Sequence, residues 1–474
     1  MMATRETLSR ARVLALGLIG CAVLALPARA QTPAEVGQWS GVMSWPVSAT
    51  HTHLLPTGKV MFSGEFAQGD TPPRLWDPTT QALGTLPFPG YNTFCAGHSF
   101  LADGRLLVTG GHVESHVGLE DASLFDPFGS RWTRLPDMTA GRWYPTNVTL
   151  ANGDVLVISG ETVGSGIMNE LPQRYLASSG TWRDMTSARL KLPYYPRMFL
   201  APNGRLFLAG PSRTCRFLDT GGTGTWFPGP SSNFGARSYG PAVLLDGKVF
   251  LMGGGDPPTA SVERIDLNAT SPTWSYMAPM STARRQHNAT LLPDGTVLVT
   301  GGSYGGGFDN KSTPVLVPEL YNPATNSWRR LARNSVYRGY HSTALLLPDG
   351  RVLSAGGRNV NNAEIFSPPY LFKGARPTVS ALPDVVAPRT TFSIATPDAG
   401  RVTKVTLIAL GSVTHAFDQN QRLITLGFTR GSGSLTVQAP ASNNVAPPGY
   451  YQLFLVNDAG VPSIGRMVRI TAVP

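Results

Sequence analysis

The chain has 474 residues, of which 42% are hydrophobic and only 14% are charged, with 52 glycines and 40 prolines. This composition allows a large core, and its glycine and proline content favours many short strands and turns over a helical protein. The formal net charge is +10, but no basic run or alternation of basic and aromatic residues occurs, so we expect no nucleic-acid partner.

The first 30 residues have the pattern of a secretion signal. Three arginines precede an apolar run at positions 13–26, and Ala28-Arg29-Ala30 follows as a small-residue cleavage site. We predict that residues 1–30 are removed and that the mature protein is secreted or periplasmic and monomeric. An alternative is a lipoprotein signal with an acylated Cys21, although the apolar run continues beyond that cysteine. No other segment is long and apolar enough for a transmembrane helix.

A repeated pattern fills residues 31–372. An apolar stretch leads to an Asp-Gly or similar turn, and a second one ends at or near Gly-Gly, as in SFLADGRLLVTGG and ATLLPDGTVLVTGG. The turn glycines are 43 to 55 residues apart, the extremes being Gly204 to Gly247 and Gly295 to Gly350. Such a period, with four strands per unit, is typical of a β-propeller. There are seven turn glycines: Gly58, Gly104, Gly153, Gly204, Gly247, Gly295 and Gly350.

The second half of each repeat carries two further strands around a DP or NP turn, as in LYNPATNSWRRLA. This pattern resembles kelch-type repeats, and it predicts a seven-bladed propeller. The last repeat lacks the outer strand that bears a tryptophan in other repeats. We predict that the segment 36–40, which contains Trp39, supplies this strand and closes the ring, removing exposed sheet edges.

After Pro369 the repeat stops and short alternating strands follow, such as RVTKVTLIALGS and GYYQLFLVND. They predict an immunoglobulin-like β-sandwich over residues 373–474, so the whole fold is expected to be all-β. Only Cys95 and Cys215 remain after removal of the signal, and two cysteines do not make a disulfide framework. They are expected to form one disulfide or to remain as two buried thiols.

One position of the repeat carries reactive side chains. Eight residues before the Asp or Asn of the inner turn stand Cys95, Tyr144 and His341 in the second, third and seventh repeats, with Tyr340 directly before His341. Inner strands line the axis of a propeller, so these groups are predicted to meet at one mouth of the channel. Imidazole and phenolate suit Cu(II), whereas each residue alone is more often a packing residue. The other repeats hold Ala49, Tyr195, Ser238 and Gln286 at this position.

Four motifs resemble those of the copper radical oxidases, which include galactose oxidase and glyoxal oxidase. They are FCAG at Cys95, RWYPTN at Tyr144, RGYHSTALLLPDGR at Tyr340 and His341, and GSVTHAFDQNQR at His415. The resemblance covers nearly the whole mature chain, with a propeller followed by a sandwich.

The resemblance implies a single copper ion bound by Tyr144, Tyr340, His341 and His415. It also implies a thioether between Cys95 and Tyr144, with Tyr144 as the radical and Tyr340 as the proton acceptor. The implied activity is two-electron oxidation of a primary alcohol or aldehyde, with reduction of O2 to hydrogen peroxide. A carbohydrate end is a further substrate class, and no organic cofactor is expected.

Two features depart from the galactose oxidase pattern. Thr162 stands about where the tryptophan that covers the cross-link is expected, and Arg197 follows a local pattern different from that of the galactose-binding arginine. Trp143 precedes Tyr144, but adjacent strand residues point to opposite faces, so Trp143 need not stack on Tyr144. The sequence therefore identifies neither the shielding residue nor the substrate.

Two other functions compete with the oxidase. A non-catalytic kelch-type protein that binds carbohydrate or protein would not need the five site residues together. A propeller glycosidase of the sialidase type would need a carboxylate-rich centre with several arginines, which the shared positions do not show.

Overall fold

The computed structural model describes residues 31–68 and 70–473, so the predicted secretion signal and Cys21 lie outside the described part of the chain. Seven antiparallel groups of four strands, here called sheets, occupy most of residues 38–367; four of them stand alone and three belong to larger sheets. A short α-helix, Pro33–Val36, precedes them. Two short strands follow this helix, β1 (Gln38–Trp39) and β2 (Met43–Ser44).

The strands of the first three sheets follow in chain order. The first sheet contains β3 (His51–Leu54), β4 (Val60–Ser63), β5 (Arg74–Trp76) and β6 (Leu83–Thr85). The second contains β7 (Gly97–Phe100), β8 (Leu106–Thr109), β11 (Ala122–Asp126) and β12 (Arg131–Arg134), with a ribbon of β9 (His112–Glu114) and β10 (Val117–Gly118) beside it. The third contains β13 (Thr146–Thr149), β14 (Val155–Ile158), β15 (Gln173–Leu176) and β16 (Thr181–Asp184).

The other four sheets repeat this order. The fourth contains β17 (Arg197–Leu200), β18 (Leu206–Gly210), β19 (Arg216–Asp219) and β20 (Thr225–Pro228). The fifth contains β21 (Ala242–Leu245), β22 (Lys248–Met252), β23 (Val262–Asp266) and β24 (Trp274–Met277). The sixth contains β25 (Arg285–Leu291), β26 (Val297–Ser303), β27 (Glu319–Asn322) and β28 (Ser327–Arg330). The seventh contains β29 (Ser342–Leu346), β30 (Val352–Gly356) and β31 (Asn362–Ser367), completed by β1.

The Asp-Gly turns of the repeat join the two inner strands of each sheet. In the second sheet, the Asp103 carboxylate accepts the Arg105 N–H at 3.0 Å, and Gly104 has a φ of 89°. A side chain at this residue would be strained, and its Cβ would approach the ring of Pro56 to 2.9 Å. The turn therefore requires glycine for both its backbone and its neighbours.

In six of the sheets, a tryptophan on the outermost strand forms a hydrogen bond to the sheet before it. Its indole N–H donates to a backbone carbonyl that follows the outer strand of the preceding sheet, as in Trp132 to Pro87 at 2.9 Å and Trp328 to Ala278 at 2.7 Å. Trp39 makes the same contact with Ala332 at 2.8 Å. The predicted pairing of its segment with the seventh sheet is confirmed, since Gln38 faces Ser367 and Trp39 faces Phe366.

The C-terminal part is built from two further sets of strands around a common apolar core. One set has the order β37-β34-β40-β41-β32 and joins the fifth sheet through a parallel pairing of Leu423 with Leu245; the other is β33-β39-β38. Their strands are β32 (Val385–Val386), β33 (Thr391–Ala395), β34 (Val402–Ala409), β37 (Leu423–Leu426), β38 (Phe428–Gly431), β39 (Ser434–Gln438), β40 (Gly449–Asn457) and β41 (Arg466–Ile470). Short 3-10 helices lie at Phe66–Gln68, Thr186–Ala188, Pro369–Phe372 and Ala399–Arg401. The all-β class is thus confirmed.

A hairpin of the C-terminal part leaves its own sheets and joins the first sheet of the repeat. It consists of β35 (Ser412–Thr414) and β36 (Phe417–Asp418), and β35 pairs antiparallel with the inner strand β3, with His51 opposite Thr414. This pairing carries the turn of the hairpin, with His415, into the interior of the repeat region. Within the described part of the chain, no helix is long and apolar enough to span a membrane.

Candidate metal centre

The repeat position that carries the reactive residues has an unusual backbone. Cys95 and Tyr144 lie two residues before β7 and β13, and His341 lies directly before β29, so the position precedes the inner strand in these sheets. All three have a left-handed conformation, with φ values of 61°, 70° and 67°. Such a conformation costs a side-chain-bearing residue about 1–3 kcal/mol and is concentrated at functional sites.

Counting eight residues back from the Asp of the inner turn does not give the equivalent position in the fifth sheet. There Leu245 pairs directly with Lys248 across the turn, whereas the corresponding turn of the second sheet joins Leu101 to Arg105. The hairpin is one residue shorter, so the equivalent position is Tyr239, with a φ of 54°, and not Ser238. Tyr239 contributes a phenol to the same region, with its ring 6.0 Å from that of Tyr340.

Four of the predicted site residues meet at one point. The hydroxyl groups of Tyr144 and Tyr340 are joined by a short hydrogen bond. The ring of His415 lies 4.5 Å from that of Tyr144 and 4.7 Å from that of His341, measured between centroids. All four side chains are buried. The repeat and the C-terminal hairpin thus bring together two phenols and two imidazoles that lie far apart in the sequence.

Each imidazole is held through Nδ1 and has a free Nε2. The Nδ1 of His341 lies 3.1 Å from a carboxylate oxygen of Glu65, and that of His415 lies 2.6 Å from the hydroxyl of Thr414. Both Nε2 atoms are buried and have no hydrogen-bond partner among the described residues. A buried polar atom without a partner is costly, whereas a hydrogen-bonded Nδ1 with an open Nε2 is the usual arrangement of a metal-binding histidine.

The electrostatics of the four groups suit a cation. Burial lowers the pKa of His415 well below its usual range, and it also lowers the pKa of His341 against the opposing effect of Glu65. Both rings are therefore neutral at pH 7, which is the form that binds a metal. Burial raises the pKa of Tyr144 and of Tyr340 well above the usual value, so a phenolate here needs a nearby positive charge.

A metal at this point would depend on the phenols. Among residues 31–68 and 70–473, no three His, Cys, Asp or Glu side chains form a metal-binding group. Two imidazoles and two phenol oxygens make an N,O donor set of the type that suits Cu(II). The residues present therefore fit a copper ion.

Cys95 and Cys215 are both free and buried, so the structure contains two buried thiols and not a disulfide between them. Cys95 packs in one apolar cluster with Tyr144, and the Tyr144 N–H donates to the Cys95 carbonyl at 2.9 Å. Burial raises the pKa of the Cys95 thiol well above its usual value. Its position beside the Tyr144 ring separates it from Cys215, which packs in a different core cluster.

Trp143 stacks on Tyr144, with ring centroids 3.9 Å apart and an interplanar angle of 7°. The argument from alternating strand residues does not hold here, because Tyr144 has a left-handed φ of 70° and precedes the strand. Thr162 has no part in this stacking, since its hydroxyl donates to the Ile167 carbonyl at 3.1 Å. Trp143 therefore covers the ring at the shorter distance, Tyr195 also stacks on it at 4.9 Å, and the sequence identified neither contact.

A cavity of about 460 Å³ is lined by Tyr144, Tyr340 and His341, whereas His415 lies outside its lining. Its wall is largely aromatic, with Phe66, Phe94 and Phe308 beside Tyr144 and Tyr340. Arg197 is not part of this wall, and its guanidinium is buried against the carbonyls of Tyr195 and Gly240. Sequence reasoning missed the other wall residues Glu65, His112, His116, Tyr194 and Arg358, which lie between repeat elements and carry no periodic signal.

The comparisons with known proteins agree with this fold. Residues 250–373 match the glyoxal oxidase N-terminus family, and residues 376–470 match the galactose oxidase-like early set domain. The chain is 31% identical to a galactose oxidase of Gibberella zeae, over 92% of this chain and 71% of that protein. It is also 31% identical to the aldehyde oxidase GLOX of Vitis pseudoreticulata, over 80% of this chain and 82% of that protein.

A solved structure gives the same result. A fungal alcohol oxidase described as being in complex with copper matches 92% of this chain and 100% of its own, with a TM-score of 0.84 and 29% identity. The fold and the relatives together define the class as an oxidase. The chain belongs to the copper radical oxidases, the family of galactose oxidase and glyoxal oxidase, as the four motifs predicted.

Proposed function

We propose that this protein is a copper-dependent oxidase that converts a primary alcohol or an aldehyde, with O2, into the carbonyl or carboxyl product and hydrogen peroxide. One observation carries the proposal: two neutral imidazoles with unpaired buried Nε2 atoms meet two phenols, and Tyr144, Tyr340 and His341 line one open-sided cavity. The membership of the oxidase family supports the reaction type. A non-catalytic binding protein would have no use for unpaired imidazole nitrogens at this depth.

Tyr144, Tyr340, His341 and His415 are the proposed ligands of one copper ion. Copper, when bound, supplies a Lewis acid for the substrate oxygen and a one-electron acceptor. Tyr340 lines the cavity and its oxygen lies against that of Tyr144. Held as a phenolate by the bound cation, it would receive the hydroxyl proton of the substrate. The oxidised Tyr144 ring then takes a hydrogen atom from the substrate carbon, so that each phenol handles one hydrogen of the two-electron oxidation.

A thioether between Cys95 and Tyr144 is the second part of the proposal. The bond would join the cysteine sulfur to a ring carbon of the tyrosine, and O2 would remove the two hydrogens as hydrogen peroxide. Their packing in one buried cluster supports this cross-link. The stacked Trp143 would limit access of water to the oxidised ring.

The remaining expectations rest on the sequence pattern and on the family boundaries. We propose that the seven four-stranded sheets are the blades of a kelch-type propeller over residues 31–372. Residues 373–474 form the immunoglobulin-like domain that supplies His415, and the family models support this boundary. We further propose a secreted or periplasmic monomer whose signal is residues 1–30.

Intact mass spectrometry tests the copper chemistry. The protein reconstituted with Cu(II) and O2 is expected to lose about two hydrogens in mass relative to its sequence, and Cys95→Gly is expected to lose none. A disulfide gives the same change, so Cys215→Ser is the control and must retain the loss. Tyr144→Phe is expected to fold and to produce no hydrogen peroxide. An unmodified mass in copper-loaded wild type would contradict the proposal.

A further inference from the structure

Two histidines on the cavity wall contact Trp143. The indole N–H of Trp143 donates to Nδ1 of His112 at 3.0 Å. The ring of His116 lies 4.9 Å from the Trp143 ring. Both histidines line the same cavity as Tyr144 and Tyr340. Their hydrogen bonds fix which ring nitrogen of each carries the proton.

His116 has a bare Nε2. Its Nδ1 lies 2.7 Å from a carboxylate oxygen of the buried Glu161, and an ionised carboxylate only accepts hydrogen bonds, so Nδ1 must carry the proton. In the neutral ring, Nε2 is then an acceptor. No described residue bonds to this atom, and 40% of the side chain is exposed. Glu161 is itself held in place, because its other oxygen accepts the Gly166 N–H.

His112 has the opposite tautomer. An indole N–H only donates, so Nδ1 of His112 must be the unprotonated nitrogen. Burial lowers the pKa of His112, which keeps the ring neutral at pH 7. Its Nε2 therefore carries the proton and is a donor. With His116 in its neutral form, the two histidines would offer one acceptor and one donor on a largely aromatic wall.

We propose that His116 and His112 bind a second hydroxyl group of the substrate, which donates to Nε2 of His116 and accepts from Nε2 of His112. This assignment rests on the proposed oxidase function and narrows its substrate to a primary alcohol with a further hydroxyl group, a diol or polyol. The two histidines are positioning residues, because they hold a part of the substrate that does not react. An alcohol whose second oxygen only accepts hydrogen bonds leaves His116 unpaired.

The test compares 1,3-propanediol with 3-methoxy-1-propanol, which differ by whether the second oxygen can donate. One hydrogen bond corresponds to a preference of about three- to tenfold. We expect wild type to prefer the diol by this factor in kcat/KM. The same preference is expected in the equilibrium Kd that titration calorimetry measures without O2 on the copper-loaded protein.

Two variants separate the tautomer from the shape of the wall. His116→Asn suits the left-handed φ of 72° at this residue and keeps a donor towards Glu161, but it removes Nε2. In this variant, the ratio of kcat/KM for the diol to kcat/KM for the ether is expected to fall to about one. Glu161→Gln donates to Nδ1 of His116 and moves the proton to Nε2, so the preference is expected to shift towards the ether. His112→Asn is the matched control, and it should lower kcat/KM for both alcohols by the same factor.

Equal Kd values for the two alcohols in wild type would overturn the assignment. So would a preference that is unchanged in both His116→Asn and Glu161→Gln. The failure of the oxidase proposal is distinguishable: a protein that binds the diol more tightly but takes up no oxygen supports the hydroxyl site and refutes the oxidase. A protein that oxidises both alcohols with equal kcat/KM supports the oxidase and refutes the hydroxyl site.

Discussion

At the scale of single residues, the site depends on a backbone conformation that residue patterns do not reveal. Cys95, Tyr144 and His341 share a left-handed φ just before or at the start of an inner strand. This conformation breaks the alternation of side chains, and it allows Trp143 to stack on its own neighbour in the chain. The strain is sustained by the repeat around it, since the following strand is buried along its whole length.

Trp143 is expected to protect an oxidised Tyr144. In Trp143→Ala, loss of a stacked aromatic partner worth about 0.5–1.5 kcal/mol should shorten the lifetime of the tyrosyl radical, by up to about tenfold. The decay of the radical absorption after oxidation of the copper-loaded protein measures this lifetime. Trp132→Ala, on an outer strand, is the control. An unchanged lifetime in Trp143→Ala would show that the stacking has no protective role.

Glu65 is expected to set the tautomer of His341. In Glu65→Gln, the amide can donate to Nδ1 and so place the proton on Nε2, the atom that has no other partner. Copper affinity should fall by about 10- to 100-fold, as for other residues that orient a metal-binding histidine. Competition with a chelator measures the affinity. Glu120→Gln, at an exposed position, should leave it unchanged; equal losses in both variants would refute the role.

At the scale of elements, the same device joins neighbouring sheets throughout the repeat region. The indole hydrogen bond from an outer strand to the preceding sheet recurs six times, from Trp132 to Trp328 and in Trp39. In the seventh sheet the tryptophan comes from the start of the chain. The pairing of β1 with β31 thus joins the beginning of the repeat region to its end. The strand β1 is therefore part of the seventh sheet.

A chain that begins at Gly41 lacks β1 and Trp39, so the edge of the seventh sheet becomes exposed. The Trp39 ring packs against Phe366, with centroids 4.9 Å apart, and loss of such a packed tryptophan costs about 3 kcal/mol or more. The free energy of unfolding in guanidinium should fall by this amount. A chain that begins at Val36 keeps the strand and is the control. Equal stability of the two chains would show that closure through β1 is unimportant.

At the scale of the whole molecule, the C-terminal part completes a site that the repeat region begins. The hairpin β35–β36 pairs with the first sheet, and it carries His415 to within 4.5 Å of the Tyr144 ring, measured between centroids. The four proposed copper ligands therefore come from the segments before the third and seventh sheets and from the C-terminal hairpin. A ligand that binds all of them should link their stability.

Copper is therefore expected to stabilise the entire molecule. At a free copper concentration of 100 times its Kd, the folded state gains about 2.7 kcal/mol by mass action, and Tm should rise accordingly. In His415→Ala, the rise at the same concentration should be much smaller. Calorimetric scans with and without copper measure it, and chelation should reverse it. An equal rise in His415→Ala would show that His415 is not a ligand.

Much of this was predictable from the sequence. The repeat glycines and the Asp-Gly turns predicted the all-β fold, because local turn chemistry depends on nearby residues. The outer strand missing from the last repeat predicted the pairing of the Trp39 segment. The four motifs identified all five candidate site residues. The count failed at Ser238, where a shorter turn shifts the position to Tyr239, since a single-residue change in a hairpin is not visible in the repeat spacing.

The sequence by itself determined the family and the residue types of the site. Both follow from short motifs and from the repeat period, which can be recognised within single segments of the chain. Only the tertiary structure decided which residues surround the site: Trp143 over Tyr144, Glu65 behind His341, and the pair His112 and His116 on the cavity wall. These contacts join loops without periodicity, and they depend on backbone angles and on packing between distant segments. The spacing of residues along the chain does not reveal backbone angles or packing between distant segments.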